Sequence, residues 1–307
     1  MRILLTGASG FIGHRLVKLL ISRGVSIVSL GRRPCDIPHT ESIVLPALEP
    51  ERIEYAVHNC SFDAVIHLAA AGVHPSDRGS LSLMQINSLL PGVMVSVAAK
   101  TGAKAIILAG SSAEYRSPHI AAPLMEESPL ETGKLYGASK AAGGMLALAQ
   151  GAVHDIPVGV VRLFNVYGPG EAPHRLLPSL LRNLTANQPV ELSAGTQIRD
   201  FVYIDDACSG LISTLEAVIE KRLASGAYNL ATGVGHTVSD FSRTVARVLK
   251  ADESLLKFGA LPLRPDDLPY VVGDSSILKN VCGWCPKYNM EDGIGATIKE
   301  LRSIIYT

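Results

Sequence analysis

Tyr136 and Lys140 stand four residues apart in the stretch "YGASK". On a helix that spacing brings a phenol and an ammonium onto one face. A free tyrosine titrates near 10 and is a poor base at neutral pH. A positive neighbour about 4 Å away is worth roughly 4 kcal/mol at an effective dielectric of about 20, and one pKa unit is about 1.36 kcal/mol. The ammonium can therefore lower the phenol by up to a few units. Tyr136 can then exchange a proton with a substrate hydroxyl or carbonyl oxygen while a second group carries the electrons. The pair recurs by chance, and its weight comes from what precedes it.

What precedes it is "TGASGFIG", with Gly7, Gly10 and Gly13 at three-residue spacing directly after the first apolar run. Glycines there allow a tight turn and let backbone N–H groups approach a pyrophosphate, whose charge the start of a helix also favours. In such sites an acid at the end of the second strand holds the ribose 2′-hydroxyl, whereas an arginine accommodates a 2′-phosphate. This chain has Gly31, Arg32 and Arg33 at that place, in "SIVSLGRRPC". The glycine leaves room and a guanidinium grips phosphate through paired charge-assisted hydrogen bonds, so the pattern favours NADP over NAD. Farther on, "AGSSAEY" puts Ser111 and Ser112 at the end of another apolar run. Ser111 is the first choice to hydrogen-bond the reacting oxygen and Ser112 the substitute.

These groups need a scaffold that brings strand ends together, and the pattern supplies one. Apolar β-rich runs ("RILLTG", "VSIVSLG", "FDAVIHLAA", "AIILAGS", "VGVVRLFNVYG") alternate with helical periods ("GFIGHRLVKLLISRG", "PERIEYAVHNC", "SLMQINSLLPGVMVSVAAKTG", and about 135 to 154). Alternation of this kind predicts an α/β fold with a doubly wound parallel sheet. After Gly168 prolines and glycines become frequent and elements shorten, although "RDFVYIDDACSGLISTLEAVI" still reads as strand then helix. We expect residues 1–168 to form a dinucleotide-binding domain whose sheet is completed by parts of 198–235. Residues 169–307 are expected to form mainly a smaller, interleaved substrate lobe. Asp205 and Asp206 precede a helical pattern and read as caps.

Composition narrows the partners. Among 307 residues, 28 Lys and Arg balance 28 Asp and Glu, so no global field attracts nucleic acid or an anionic membrane. The N-terminus enters a strand without the features of a secretory signal, and no stretch has about 18 uninterrupted apolar residues. The expectation is a cytoplasmic protein. Five cysteines, two of them in "CGWC", make no even framework and no metal pattern, so no metal is expected. His67 and His74 read as structural rather than cofactor-binding.

Together "TGASGFIG", "HLAAAG", "YGASK", "RLFNVYGPG", "RDFVYIDD" and "CGWCPKYNMEDGI" resemble the extended short-chain dehydrogenase/reductase family, in its nucleotide-sugar epimerase, dehydratase and reductase branch. The likeness runs from residue 3 to about residue 300. It implies a Rossmann sheet of about seven strands, a C-terminal lobe for a nucleotide sugar, and Ser111, Tyr136 and Lys140 as catalytic positions. It also implies that Ser9, Phe11, Ile12, Leu68, Ala69 and Ala70 surround the cofactor with the three loop glycines, Tyr136 and Lys140. Asn165, Arg199, Arg264, Ser112 and His174 are then substrate-binding positions, and a homodimer is implied through the helices carrying Asn87–Lys100 and Tyr136.

The family's 4,6-dehydratases carry a Thr-Asp-Glu run where this chain has Ser111, Ser112 and Ala113, with Glu114 one residue away. The acids that elimination needs are missing from those places. The expected activity is NADPH-dependent reduction of the C4 ketone of an NDP-4-keto-6-deoxyhexose, with Tyr136 as proton donor. The alternative is an NAD(P)-dependent NDP-sugar 4-epimerase. A dehydratase and a non-catalytic nucleotide-sugar or NADP binder rank lower.

Overall fold

The computed structural model describes residues 1–73, 79–118, 120–263 and 267–305. Each buried run of the first half becomes a strand and each amphipathic period a helix. In chain order these are β1 (Arg2–Thr6), α1 (Phe11–Ser22), β2 (Ser26–Gly31), β3 (Thr40–Val44), α2 (Pro50–Val57), β4 (Ala64–His67) and α3 (Ser80–Leu83). A π-helical turn (Met84–Leu89) leads into α4 (Leu90–Lys100), followed by β5 (Ile106–Ser111), α5 (Leu135–His154), β6 (Val158–Leu163) and β7 (Asn165–Tyr167). The remainder comprises α6 (Leu176–Thr185), β8 (Val190–Leu192), β9 (Ile198–Tyr203), α7 (Ile204–Ile219), β10 (Gly226–Leu230) and β11 (Gly235–Thr237). Last come α8 (Val238–Leu249), β12 (Leu256–Phe258), β13 (Tyr270–Val271), α9 (Ser276–Cys282) and α10 (Met290–Ile305).

The main sheet has seven strands in the order β10-β6-β5-β4-β1-β2-β3, and every neighbouring pair is parallel. Strand order reverses between β1 and β4, where an open α/β sheet leaves a crevice at its carboxyl edge. Helices cover both faces, which is why β4 and β6 are buried along their whole length. On one face Leu16, Val17 and Leu20 of α1 join Leu211, Leu215 and Val218 of α7 in one core. On the other, Ile53 and Val57 of α2 meet Met94, Val95 and Ala98 of α4 and Ala147 of α5.

Two of the sequence readings are corrected by the structure. "VGVVRLFNVYG" is not one strand: β6 stays in the main sheet, and β7 leaves it to pair with β9. The break lies where the carboxyl edge of the sheet ends, so the following residues find backbone partners in the second lobe. Asp205 and Asp206 are not helix caps either. Asp206 accepts hydrogen bonds from the backbone of Lys287 and Tyr288, while Asp205 and Glu300 both bind Arg15, tying α1, α7 and α10 together.

The second lobe has a four-stranded sheet of β7, β9, β11 and β13 and a β8–β12 pair. Its core is aromatic, with the rings of Phe201 and Phe241 stacked 4.2 Å apart and Tyr167 edge-on to Phe241 at 5.3 Å. The helical run Ser80–Lys100 is long and apolar enough to cross a bilayer, yet half of it is buried inside the protein. Its π turn carries Asn87, which is almost fully buried and lies between Ala71 and α5.

Candidate active site

The glycine loop lies between the end of β1 and the start of α1, at the strand-order reversal. Gly7 has φ of +77°, and a Cβ there would sit 2.8 Å from the Ala69 nitrogen. A Cβ on Gly13 would come within 2.0 Å of the Gly7 carbonyl oxygen. Side chains at these two places would collide with backbone, and their absence leaves a shallow cradle. Gly10 is the N-cap of α1 without a side-chain cap, and the first turn holds no acid, so its N–H groups and positive end face the cradle unneutralised. Phe11 and Ile12 are half-buried behind it and Ser9 is exposed. Leu68, Ala69 and Ala70 form the opposite rim, where Ala69 N–H donates to Thr6 Oγ1 at 3.3 Å. A pyrophosphate fits this cradle. Arg32 and Arg33 follow β2 exposed, and neither has an ion-pair partner among the described residues. A Cβ on Gly31 would meet the Arg33 backbone in ordinary contact, its carbonyl oxygen at 3.5 Å.

Tyr136 and Lys140 both lie in α5. Tyr136 is half-buried and faces a cavity of about 430 Å³, which is also lined by Ser112, Ala113, Glu131, Asn165 and Arg199. Lys140 is buried, and its Nζ donates to the Ala109 carbonyl of β5 at 2.5 Å. Burial lowers the ammonium's pKa, and the nearby Glu114 charge opposes that shift. On the adjacent strand His67 is sealed in the core with its Nδ1 2.7 Å from Thr6 Oγ1 and its Nε2 without a hydrogen-bond partner among the described residues. Burial, reinforced by the Lys140 charge, pushes His67 down to about 3, so it is neutral. Ser111 is the N-cap of a short 3₁₀ turn, Ser112–Glu114. Its Oγ accepts the Ala113 N–H, and Ser112 is the serine that lines the cavity.

Asn165 and Arg199 stand in the wall between this cavity and a second one of about 330 Å³, which His174, Arg175, Glu171, Gln197 and the aromatic core also line. Arg199 is more engaged than its sequence reading suggested. Its Nη1 donates to the carbonyls of Ile198 and Leu268, and its Nη2 is ion-paired with Asp267. His174 is exposed at the mouth. The Glu171 side chain is buried beside Arg175 (3.2 Å), and desolvation lifts its carboxyl to about 7. Arg264 and His74 lie outside the described residues.

Two further groups belong to this region. Asn87 Oδ1 accepts from Ala71 N, while its Nδ2 donates to Ala71 O and to Ser139 Oγ, clamping the loop after β4 onto the Tyr136 helix. Glu114 turns away from the cavity: Oε1 accepts the Ser111 N–H at 2.8 Å and Oε2 accepts from Arg162 Nε at 2.8 Å. Neither role is written in residue spacing, because both depend on how a loop folds back.

Residues 3–231 match the family model described as NAD dependent epimerase/dehydratase family. The chain is 26% identical over 312 residues to a CDP-abequose synthase of Salmonella typhimurium strain LT2, covering 97% of this chain and 98% of the relative. It is 25% identical over 314 residues to a UDP-glucuronate 4-epimerase of Thermodesulfobacterium geofontis, covering 96% and 94%. The solved structure of MoeE5 in complex with UDP-glucose and NAD superposes with a TM-score of 0.87 at 27% identity, covering 99% of this chain and all of that one. The glycine cradle at the β1–β4 reversal, the Tyr136–Lys140 helix beside it and these matches place the chain in the NAD-dependent epimerase/dehydratase family, within the extended short-chain dehydrogenases/reductases.

Proposed function

We propose that the protein is an NADPH-dependent reductase of the C4 ketone of an NDP-4-keto-6-deoxyhexose. The observation that carries this reading is the pair of exposed guanidiniums, Arg32 and Arg33, directly after β2, with Gly31 where a ribose-binding acid would stand. Residues 1–168 hold the dinucleotide in this reading and residues 169–307 mainly the nucleotide sugar, with Ser112, Asn165, Arg199, Arg264 and His174 along the substrate path. We further propose a cytoplasmic homodimer formed through α5 and through α4 with its preceding π turn, whose outer faces expose Leu89, Met145, Leu146 and Val153.

When bound, the reduced nicotinamide supplies a hydride to the sugar C4. Tyr136 donates its phenolic proton to the C4 oxygen from the wall of the 430 Å³ cavity. The Lys140 ammonium stabilises the phenolate left behind. Ser111 or Ser112 donates a hydroxyl hydrogen to the same oxygen and fixes its approach. Dehydration between C5 and C6 is disfavoured because Ala113 and Ser112 occupy the cavity wall while the neighbouring acid, Glu114, is committed to Arg162 and the Ser111 backbone.

A second reading, NDP-sugar 4-epimerase, is supported by the NAD and UDP-glucose bound to MoeE5. Incubation with NADPH and a panel of NDP-4-keto-6-deoxy sugars, following nicotinamide absorbance, separates the two. Stoichiometric oxidation supports the reductase. Interconversion of two sugar nucleotides without net cofactor change makes the protein an epimerase, and neither outcome with any sugar overturns both.

A further inference from the structure

Lys140 and Glu114 meet the same three residues of chain. Lys140 Nζ holds the Ala109 carbonyl, and Glu114 Oε1 holds the Ser111 N–H. Between them a Cβ on Gly110 would lie 2.6 Å from Glu114 Oε1. Ammonium and carboxylate therefore flank one glycine at the end of β5. Both are buried, Glu114 to 1% exposure and Lys140 to 8%.

The surrounding charges are few. From β6, Arg162 gives Nε to Glu114 and Nη1 to the Tyr115 hydroxyl and the Glu126 carbonyl. The Glu126 carboxyl accepts the Asn229 N–H and is itself raised by burial. From β4, His67 faces Lys140 as a neutral ring. Arg162 thus binds the Glu114 carboxylate directly, and the buried Lys140 ammonium stands across Gly110 from it.

We propose that Glu114 is a positioning residue for the Tyr136–Lys140 pair: its buried carboxylate, shared with Arg162, keeps the Lys140 ammonium charged and anchors the Ser111 backbone. The inference rests on reading Tyr136 and Lys140 as the acid–base pair of the site. Desolvation alone drives Lys140 toward the neutral amine, which has no charge to offer the phenol. The arrangement also sets a limit, because Arg162 draws on the same carboxylate. Removing Glu114 and removing Arg162 must therefore move Lys140 in opposite directions.

The test is an ultraviolet difference titration of the phenolate near neutral and alkaline pH in the protein without substrate, with Tyr136→Phe identifying the signal of Tyr136. In Glu114→Gln the amide oxygen still accepts the Ser111 N–H, and the Tyr136 midpoint is expected to rise by about one pH unit or more. In Arg162→Met it is expected to stay or fall. Because a lone buried arginine can unfold the single variant, the double variant Glu114→Gln/Arg162→Met is measured alongside it, and its Tyr136 midpoint is expected to lie above that of Arg162→Met by a similar margin. NADPH binding by fluorescence is expected to remain within about threefold in the Glu114 and Arg162 variants that fold. A Tyr136 midpoint that Glu114→Gln raises in neither background overturns the proposal. A wild-type midpoint at the ordinary value near 10 instead removes the acid–base reading on which it rests.

Discussion

The Lys140 ammonium donates to the Ala109 carbonyl at 2.5 Å, so the helix carrying Tyr136 is pinned to the strand that ends at Ser111. Phenol and ammonium share α5 while the serine turn follows β5, and this contact fixes the distance between the two elements. Loss of either side chain is therefore expected to remove chemistry without removing the cofactor cradle.

Tyr136→Phe is expected to lower kcat by about 10²–10⁴-fold, the usual worth of a positioned proton donor. NADPH affinity, read by nicotinamide fluorescence, should change by less than about threefold. Equal activity in the variant would assign the proton transfer to another group.

Arg32 and Arg33 set the expected cofactor preference. Replacing both with Ala should weaken NADPH by about 10–100-fold, as charge-assisted hydrogen bonds of roughly 1.5–3 kcal/mol are lost. NADH binding should stay nearly constant. Calorimetric titration with the two dinucleotides measures the ratio, and an unchanged ratio would mean the arginines merely flank a turn.

Gly13→Ala puts a methyl group 2.0 Å from the Gly7 carbonyl, a collision with backbone that no side-chain rotation relieves. We expect a destabilisation of about 1–3 kcal/mol and at least tenfold weaker dinucleotide binding. Gly24→Ala is the contrasting control for steric space, since nothing lies within 4 Å of its Cβ position, though its φ of +76° still carries strain. Thermal melts with and without NADPH separate the two effects.

Glu171 gives the stability a pH dependence of known sign. Burial raises its carboxyl from 4.5 to about 7, so the folded state binds the proton more tightly than the unfolded chain. Its contribution is fully present below about 4.5 and is lost as pH rises to about 7. Arg175 is half-exposed and offsets little of this. Glu171→Gln should gain roughly 1–3 kcal/mol over wild type at pH 8 and little at pH 4.5, measured by urea denaturation at both values.

The parallel sheet was legible because its strands are buried on both faces and read as unbroken apolar runs between helical periods. β3 was not, since this edge strand, "TESIV", is only half-buried and has no apolar run to announce it. The departure of β7 from β6 was also hidden, because burial continues across Phe164 while the hydrogen-bond partner changes. Within the site, spacing alone put Tyr136 and Lys140 on one helix. Spacing did not distinguish Ser112, which lines the cavity, from Ser111, which caps the turn, nor show that Glu114 points inward to Arg162. Those outcomes are decided by a three-residue turn whose geometry depends on partners more than 40 positions away.

The π turn at Met84–Leu89 carries a surplus residue relative to an ordinary α-helical turn. Deleting one residue there would close the turn to α-helical geometry, shifting the residues of the turn itself while the flanking helix keeps its register. Asn87 would swing off Ala71 and Ser139 although its identity was intact. Selection on this segment therefore weighs how many residues it has as strictly as which ones, so natural variants should tolerate substitutions along its outer face and reject length changes.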